Sequence, residues 1–277
     1  MDKNDIMTLP DLNKFTNPEE YTLSVRIKND GLDYVLHKQE LGKDYFYNKI
    51  IFQKDITLAE NIQKVLFENN FMTYGFGRTN VIFASVGYEL VPDFLFDKND
   101  MGKLYDLTHL EKGGFIVRHC QEVLNNALLF NADEETYHFL VRSLFNPMFH
   151  HYAGILVQKF AEKARTARSA SQMYLNFHDG MIDVFCFSHF NLVHALTFSN
   201  LQATDTVYSI LNIWEKSRMD QISDQLFVSG TDENFVPIIN DLRKYVKNIE
   251  PLGLPSEVQF LPNNVQTMPL DLLLLSI

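Results

Sequence analysis

Several places along the chain carry side chains of types that do chemistry. His150-His151 is the most metal-like pair, with His138, His119 and His109 elsewhere. Zinc needs three or four ligands at reachable spacing, and the sequence has neither HExxH nor a clustered Cys/His motif. Adjacent histidines on one element point apart, so the pair reads as surface or packing residues. No G-x-S-x-G frames a serine nucleophile, and Cys186 lies in a Phe-rich run where a thiol is inert. Asp133, Glu134 and Glu135 read as the first turn of a helix, where carboxylates suit the dipole. Asp232-Glu233 either lines a cleft or is solvated. Polar residues also gather at the predicted turns. Arg26 and Lys28 precede a turn, LNFHDGMIDVFCF (Leu175 to Phe187) places Asn176, His178, Asp179 and Gly180 around another, and Ser229-Gly230 ends an apolar run. G-x-x-x-x-G-K-[ST] and G-x-G-x-x-G are both absent from the sequence.

The elements that must position these residues are legible from patterning. YTLSVRIK alternates, with Tyr21, Leu23, Val25 and Ile27 on one face and Thr22, Ser24, Arg26 and Lys28 on the other. That predicts a half-buried strand whose polar face leaves Arg26 and Lys28 solvated. Asn29-Asp30-Gly31 supplies a hairpin turn of residues that tolerate positive φ. LDYVLHK and DYFYNKIIFQ follow as strands. Thr57 and Glu60 form a capping-box pair ahead of a helix whose face carries Leu58, Ile62, Val65 and Leu66. NVIFASV is then a buried strand.

The same order recurs. SQMYLNF, a turn at His178-Asp179-Gly180, IDVFCF and NLVHALTFS make a second three-strand meander. A helix from Thr204 to about Ser217 presents Val207, Ile210, Leu211 and Trp214, and QLFVSG closes the unit. The repeated order and matching turns favour an internal duplication over two unrelated α+β pieces. Between the copies, a hairpin is expected near Phe115 to Asn131, with helices around Glu134 to Leu144 and Ile155 to Ala167. KARTAR (Lys163 to Arg168) reads as a helix end. After the second copy, Ile239, Leu242, Val246 and Ile249 have helical spacing. The tail, broken by Pro255, Pro262 and Pro269, is expected to dock on the body. Residues 1–18 form a loose leader, 19–150 a first half, and 151–277 a second half with the docked tail.

Composition bounds the function. The 277 residues suffice for one large or two ordinary domains, 46% are hydrophobic, and 23 are Phe. A Phe-rich core is the expected use of that aromatic excess. Against 24 basic residues stand 35 acidic ones, a net charge of −11, which repels nucleic acid. Cys120 and Cys186 read as buried thiols in a reducing compartment. The start, MDKNDIMTLP, has no signal-peptide pattern, and no apolar run reaches the ~20 residues of a membrane helix. A cytoplasmic protein without membrane insertion is expected.

A duplicated meander, helix and strand resembles the plan of the actin-like ATPases, a ribonuclease H-like superfamily that includes actin, sugar kinases and heat-shock chaperone ATPases. The resemblance spans roughly Tyr21 to Ile249. It rests on element order, the Asp183-Val184 pair, and the helix followed by LFVSG. The chain also resembles a family of uncharacterised bacterial proteins with an actin-like fold. It implies an α+β (α/β) fold of two related halves with a cleft between them.

In that superfamily the second hairpin carries D-x-G-G-G-T ahead of an F-D-V strand. The acid helps hold hydrated magnesium and the glycines close on phosphate. The resemblance lays the acid on Asn176, the glycines on His178, Asp179 and Gly180, and the threonine on Met181. The first hairpin, D-x-G-T/S, falls on Arg26, Ile27, Lys28 and Asn29. The paired-glycine turn against adenosine falls on Ser229-Gly230-Thr231. The site positions Arg26, Lys28, Asn176, His178, Asp179, Gly180, Ser229 and Gly230 are therefore degenerate in shape and in charge. The expectation is a non-catalytic scaffold or interaction protein with no cofactor. Actin-like proteins of pilus assembly, which bind a short partner segment, make a protein partner the implied one. The alternative is an ATP-binding protein or ATPase with a substituted site, using Asp179 or Asp183 for magnesium and Arg26 or Lys28 for phosphate. Two α+β domains unrelated to actin are a third reading, which sheet topology decides.

Overall fold

The computed structural model describes residues 17–38, 45–110, 112–120, 124–166, 169–199, 202–230, 235–254, 258 and 267–277. Most of the expected leader, Thr231, Asp232-Glu233, Arg168, Pro255 and Pro262 lie outside the described residues.

Two five-stranded sheets share one topology. The first has β1 (Tyr21–Ile27), β2 (Gly31–Lys38), β3 (Phe46–Ile51), β4 (Arg78–Phe83) and β8 (Pro147–His151), in spatial order β3-β2-β1-β4-β8. The second has β9 (Ser171–His178), β10 (Met181–Ser188), β11 (Asn191–Ser199), β12 (Gln225–Gly230) and β13 (Asn248–Pro251), in order β11-β10-β9-β12-β13. In each, an antiparallel meander is extended by two parallel strands. Helix α1 (Leu58–Glu68) joins β3 to β4, and α5 (Ala203–Lys216) joins β11 to β12. The duplication read from element order is therefore present strand for strand.

The N-terminus of α1 is fixed as its sequence dictates. Thr57 Oγ1 accepts from the Glu60 N–H at 3.2 Å, and the Glu60 carboxylate accepts from the Thr57 N–H at 2.7 Å. Such a cap is worth about 1 kcal/mol. Between β4 and β8 the chain inserts a small antiparallel sheet, β5 (Tyr88–Pro92), β6 (Phe115–Arg118) and β7 (Asn126–Ala132), in order β5-β7-β6. The β6–β7 pair is the hairpin expected near Phe115. Helices α2 (Met101–Asp106) and α3 (Glu134–Ser143) flank it in sequence, and Asp133 caps α3 through the Thr136 N–H at 2.8 Å.

Helix α4 (Tyr152–Ala164) follows β8 and packs on the second sheet. Phe160 stacks on Tyr174 with ring centroids 4.7 Å apart, and Tyr174 on Phe227 at 5.1 Å. The Phe excess thus serves the core, in which Phe76, Phe130, Phe160, Phe177, Phe185 and Phe187 are buried. The tail does dock. Helix α7 (Leu270–Leu274) buries Leu270, Leu272 and Leu273, and the Tyr45 hydroxyl donates to the Ser276 carbonyl at 2.6 Å.

Four expectations change. Strand β1 is buried on both faces, because α1 side chains join the core around Leu23 and Val25 while α7 closes the Arg26 face. Helical spacing after the second copy holds only over α6 (Phe235–Leu242); Val246 is buried just after an exposed turn, and Ile249 lies in β13. Cys120 is exposed, while Cys186 is buried; both are free. The first hairpin turn uses no positive φ, and Gly31 is needed instead because a Cβ there would meet the Ile50 carbonyl. Among the described residues no helix is long and apolar enough to cross a membrane.

Candidate functional site

The β1–β2 and β9–β10 hairpins face one another, and their charged residues form one buried network. The second hairpin turns tightly through Asp179 (φ 47°) and Gly180 (φ 70°), the Asp-Gly pairing that two positive φ angles favour. His178 therefore pairs across the turn with Met181, and the Asp179 side chain points toward the first hairpin, where Arg26 and Lys28 meet it.

Arg26 is fully buried, contrary to the exposed position its alternation predicts. Its Nη2 lies 2.8 Å from Asp179 Oδ2, and its Nε donates to Asp271 Oδ2 of α7 at 2.8 Å. Lys28, only 18% exposed, sits 3.6 Å from Asp179 and 3.5 Å from Asp33. Burial works against charge on Arg26, but the carboxylates of Asp271 and Asp179 outweigh it and hold the guanidinium more firmly protonated than usual. Asp33, paired across the strands with Arg26, is raised by burial, which Lys28 and Arg26 only partly oppose.

The second sheet continues the network. His178 Nδ1 is 3.0 Å from Asp179, and its Nε2 is 2.9 Å from Asp183 Oδ2. Burial favours a neutral ring, yet Asp183 and Asp179 override it and raise His178 to about 9. The ring is thus a cation bridging two carboxylates at neutral pH. Burial also disfavours charge on Asp183, but His178, Asn176 and Thr197 hold it below the usual carboxylate range. Asp179 is lowered likewise, by His178 and Arg26 against the cost of burial.

Asp183 receives four hydrogen bonds. Tyr152 Oη and Thr197 Oγ1 donate to Oδ1, each at 2.7 Å, and Asn176 Nδ2 and His178 Nε2 donate to Oδ2 at 3.0 and 2.9 Å. A carboxylate offers about four lone-pair positions, so none is left for a metal ion. Asn176 is oriented at its other end, where Oδ1 accepts from Ser229 Oγ at 3.1 Å. Gly230 (φ 131°) ends β12 against Phe177, whose backbone a Cβ would strike. The structure thus brings Arg26, Lys28, Asn176, His178 and Asp179 into one network, with Ser229 at its edge through Asn176. Gly180 and Gly230 shape the backbone beside it. The space between the hairpins is taken up by buried charged side chains, His178 among them.

Sequence reasoning passed over Asp33, Asp271, Tyr152 and Thr197. Asp271 opens a short apolar helix, where it reads as an ordinary first-turn acid. The histidine pair, by contrast, packs as its strand alternation dictates. His151 Nδ1 caps α4 by accepting from the Ala153 N–H, and its Nε2 meets the Ser85 carbonyl at 2.9 Å. His150 points the other way, with Nε2 3.3 Å from Asn80 Oδ1 and Nδ1 3.1 Å from Cys120 Sγ. Burial lowers His150 to about 4, and although Cys120 is exposed as a residue, the partial burial of its Sγ beside His150 raises the thiol to about 11, so the pair holds a neutral imidazole and a thiol. Among the described residues no group of three or more His, Cys, Asp or Glu is arranged to hold a metal ion.

Comparison with known proteins bears on the fold. A family model, "Protein of unknown function (DUF3822)", matches residues 10–249. A crystal structure from Bacteroides thetaiotaomicron VPI-5482, a protein with actin-like ATPase fold and unknown function, aligns with a TM-score of 0.77 at 24% identity, over 89% of this chain and 97% of that one. The PilM-PilN type IV pilus biogenesis complex aligns with a TM-score of 0.54 at 11% identity, over 94% of this chain and 98% of that one. At these identities the likeness establishes the fold: an actin-like ATPase fold of two related halves. No curated protein matches the sequence.

Proposed function

The chain belongs to the DUF3822 family, and from that premise and the buried network we propose a non-catalytic actin-like protein, a scaffold or interaction module whose phosphate-binding hairpins have become an internal latch. One observation carries the reading. Arg26 and Lys28 of the first hairpin are engaged by the carboxylate of Asp179 on the second, at 2.8 and 3.6 Å. In ATPases of this fold the two hairpins close on phosphate. Here an internal anion takes the place between them, and it would repel the phosphate it replaces. Asp183, the remaining magnesium candidate, has its acceptor positions filled.

A protein partner follows from the fold by analogy, since one structural neighbour is a complex of PilM with PilN. Two free cysteines and a net charge of −11 support a cytoplasmic protein without nucleic-acid affinity. Calorimetric titration with ATP and with ADP, magnesium present, tests the reading. No binding heat is expected up to millimolar nucleotide; micromolar binding would refute it and support the substituted-site ATPase.

A further inference from the structure

Two strand edges stand open across a cleft. β11 is the outer strand of the second sheet, and among the described residues it pairs with no strand besides β10. β5 is the outer strand of the inserted sheet and, among the described residues, pairs with no strand besides β7. The cleft between them has a volume of about 450 Å³ and is walled by Tyr88, Glu89 and Leu90 on one side and by Leu192 through Leu196 on the other.

Natural edge strands are usually blunted by lysine, proline, inward charge or shortness. β11 runs nine residues, NLVHALTFS, and contains no Lys, Arg, Asp, Glu or Pro. Val193 and Leu196 are 47% and 43% exposed along it. A register shift leaves Val193 as a bulge in its pairing with β10, and beyond it Thr197 anchors the strand by donating to the buried Asp183 carboxylate at 2.7 Å. An uncharged edge that, among the described residues, has no strand partner on its outer side is complementary to another extended backbone. At ~3.3 Å per residue, the five residues lining the cleft give a seat of about 17 Å.

The opposite wall supplies selectivity. Among the described residues Glu89 is the one carboxylate lining the cleft, and no lysine or arginine lines it. Its carboxylate is oriented by the Thr108 hydroxyl. We infer that this cleft receives an extended segment of another protein as a sixth strand on β11, apolar where it meets Val193 and Leu196 and carrying a lysine or arginine opposite Glu89. This inference rests on the interaction-module reading and gives that partner a surface and a chemistry.

The test uses the full chain and a phage-displayed library of random nine-residue peptides. Enriched peptides, made synthetically with a fluorescein label, are measured by fluorescence anisotropy against the wild type, the double variant Val193→Lys/Leu196→Lys, and Glu89→Lys. Enriched sequences are expected to alternate apolar residues and to carry Lys or Arg. Both variants should weaken binding about tenfold or more, and bound peptide should slow amide exchange within Leu192–Leu196. Glu89→Lys leaves β11 untouched, so it remains informative if the double variant misfolds. Peptides whose binding ignores both variants, or that protect another surface, would overturn the cleft but leave the interaction-module reading standing. Failure to enrich any peptide would also overturn the cleft. Nucleotide heat in the calorimeter is the separate result that would remove the broader reading.

Discussion

Replacing Asp183 with Asn tests the network at its most buried point. The substitution keeps the shape and removes the charge. Tyr152 and Thr197 can still donate to the amide oxygen, but the new NH₂ then faces two donors, Asn176 Nδ2 and His178 Nε2. His178 also loses one of its two carboxylates. The rise of its pKa from 6.5 to about 9 is worth about 3 kcal/mol at 1.36 kcal/mol per pKa unit. Breaking a buried, hydrogen-bonded charge pair costs roughly 3–5 kcal/mol by a separate route, and the two figures agree. Against a total stability of about 5–15 kcal/mol, the variant should lose about 1–2 M from its urea midpoint, taking an m-value of about 3 kcal/mol/M.

The His178 pKa, followed by NMR, should fall from about 9 toward 6.5 or below as burial takes over. Because the folded pKa exceeds the unfolded one, this stabilisation is complete below pH 6.5, declines from pH 6.5 to 9 and is absent above. The wild type should therefore lose stability over that interval and Asp183→Asn should lose much less. Asn176 and Asp183 are cross-strand partners, so Asn176→Asp in the Asp183→Asn background should restore part of the loss. A His178 pKa still near 9 in Asp183→Asn, with the urea midpoint unmoved, would refute the reasoning.

Acid should act through different histidines. Burial lowers His37 and His150 to about 4 and His119 and His151 to about 3, so each takes up a proton in the unfolded chain first. From pH 6.5 to 5.5 each costs about 1 kcal/mol, on the order of 4 together, and urea midpoints across that range should fall steeply; a flat profile would contradict the burial of these rings. Asp179→Gly frees Arg26 Nη2 and Lys28 from their shared carboxylate at a backbone position (φ 47°) that suits glycine. The variant should bind inorganic phosphate, read as a melting temperature raised roughly 2–4 °C by 100 mM phosphate over matched chloride, and a response equal to the wild type would count against an internal phosphate substitute.

Local rules carried the sequence a long way. The Thr57/Glu60 box, the Asp179-Gly180 turn and the alternating strands each act within a few residues, so each was readable. Arg26 was misplaced because alternation reports that two faces differ, not that the polar one is solvated. What buries it is α7, whose contact with β1 has no local signature. The same limit hid Asp33 and Tyr152, whose meaning depends on partners in other elements. Val246 and Ile249 kept an apolar spacing compatible with a helix while the chain had already turned into β13. Cys120 looked buried from its neighbours in sequence, but it lies just past the end of β6 and is exposed.

Arg26 and Asp271 are bonded across 245 residues of sequence. At about 5–20 residues per second, a ribosome needs roughly 12–50 s to travel that distance. For all of that time β1 lacks the helix that covers its guanidinium, and no local folding can supply the Asp271 carboxylate. Strand β1 is thus completed by a segment 245 residues downstream, and its buried cation gains that partner only after translation has passed Asp271.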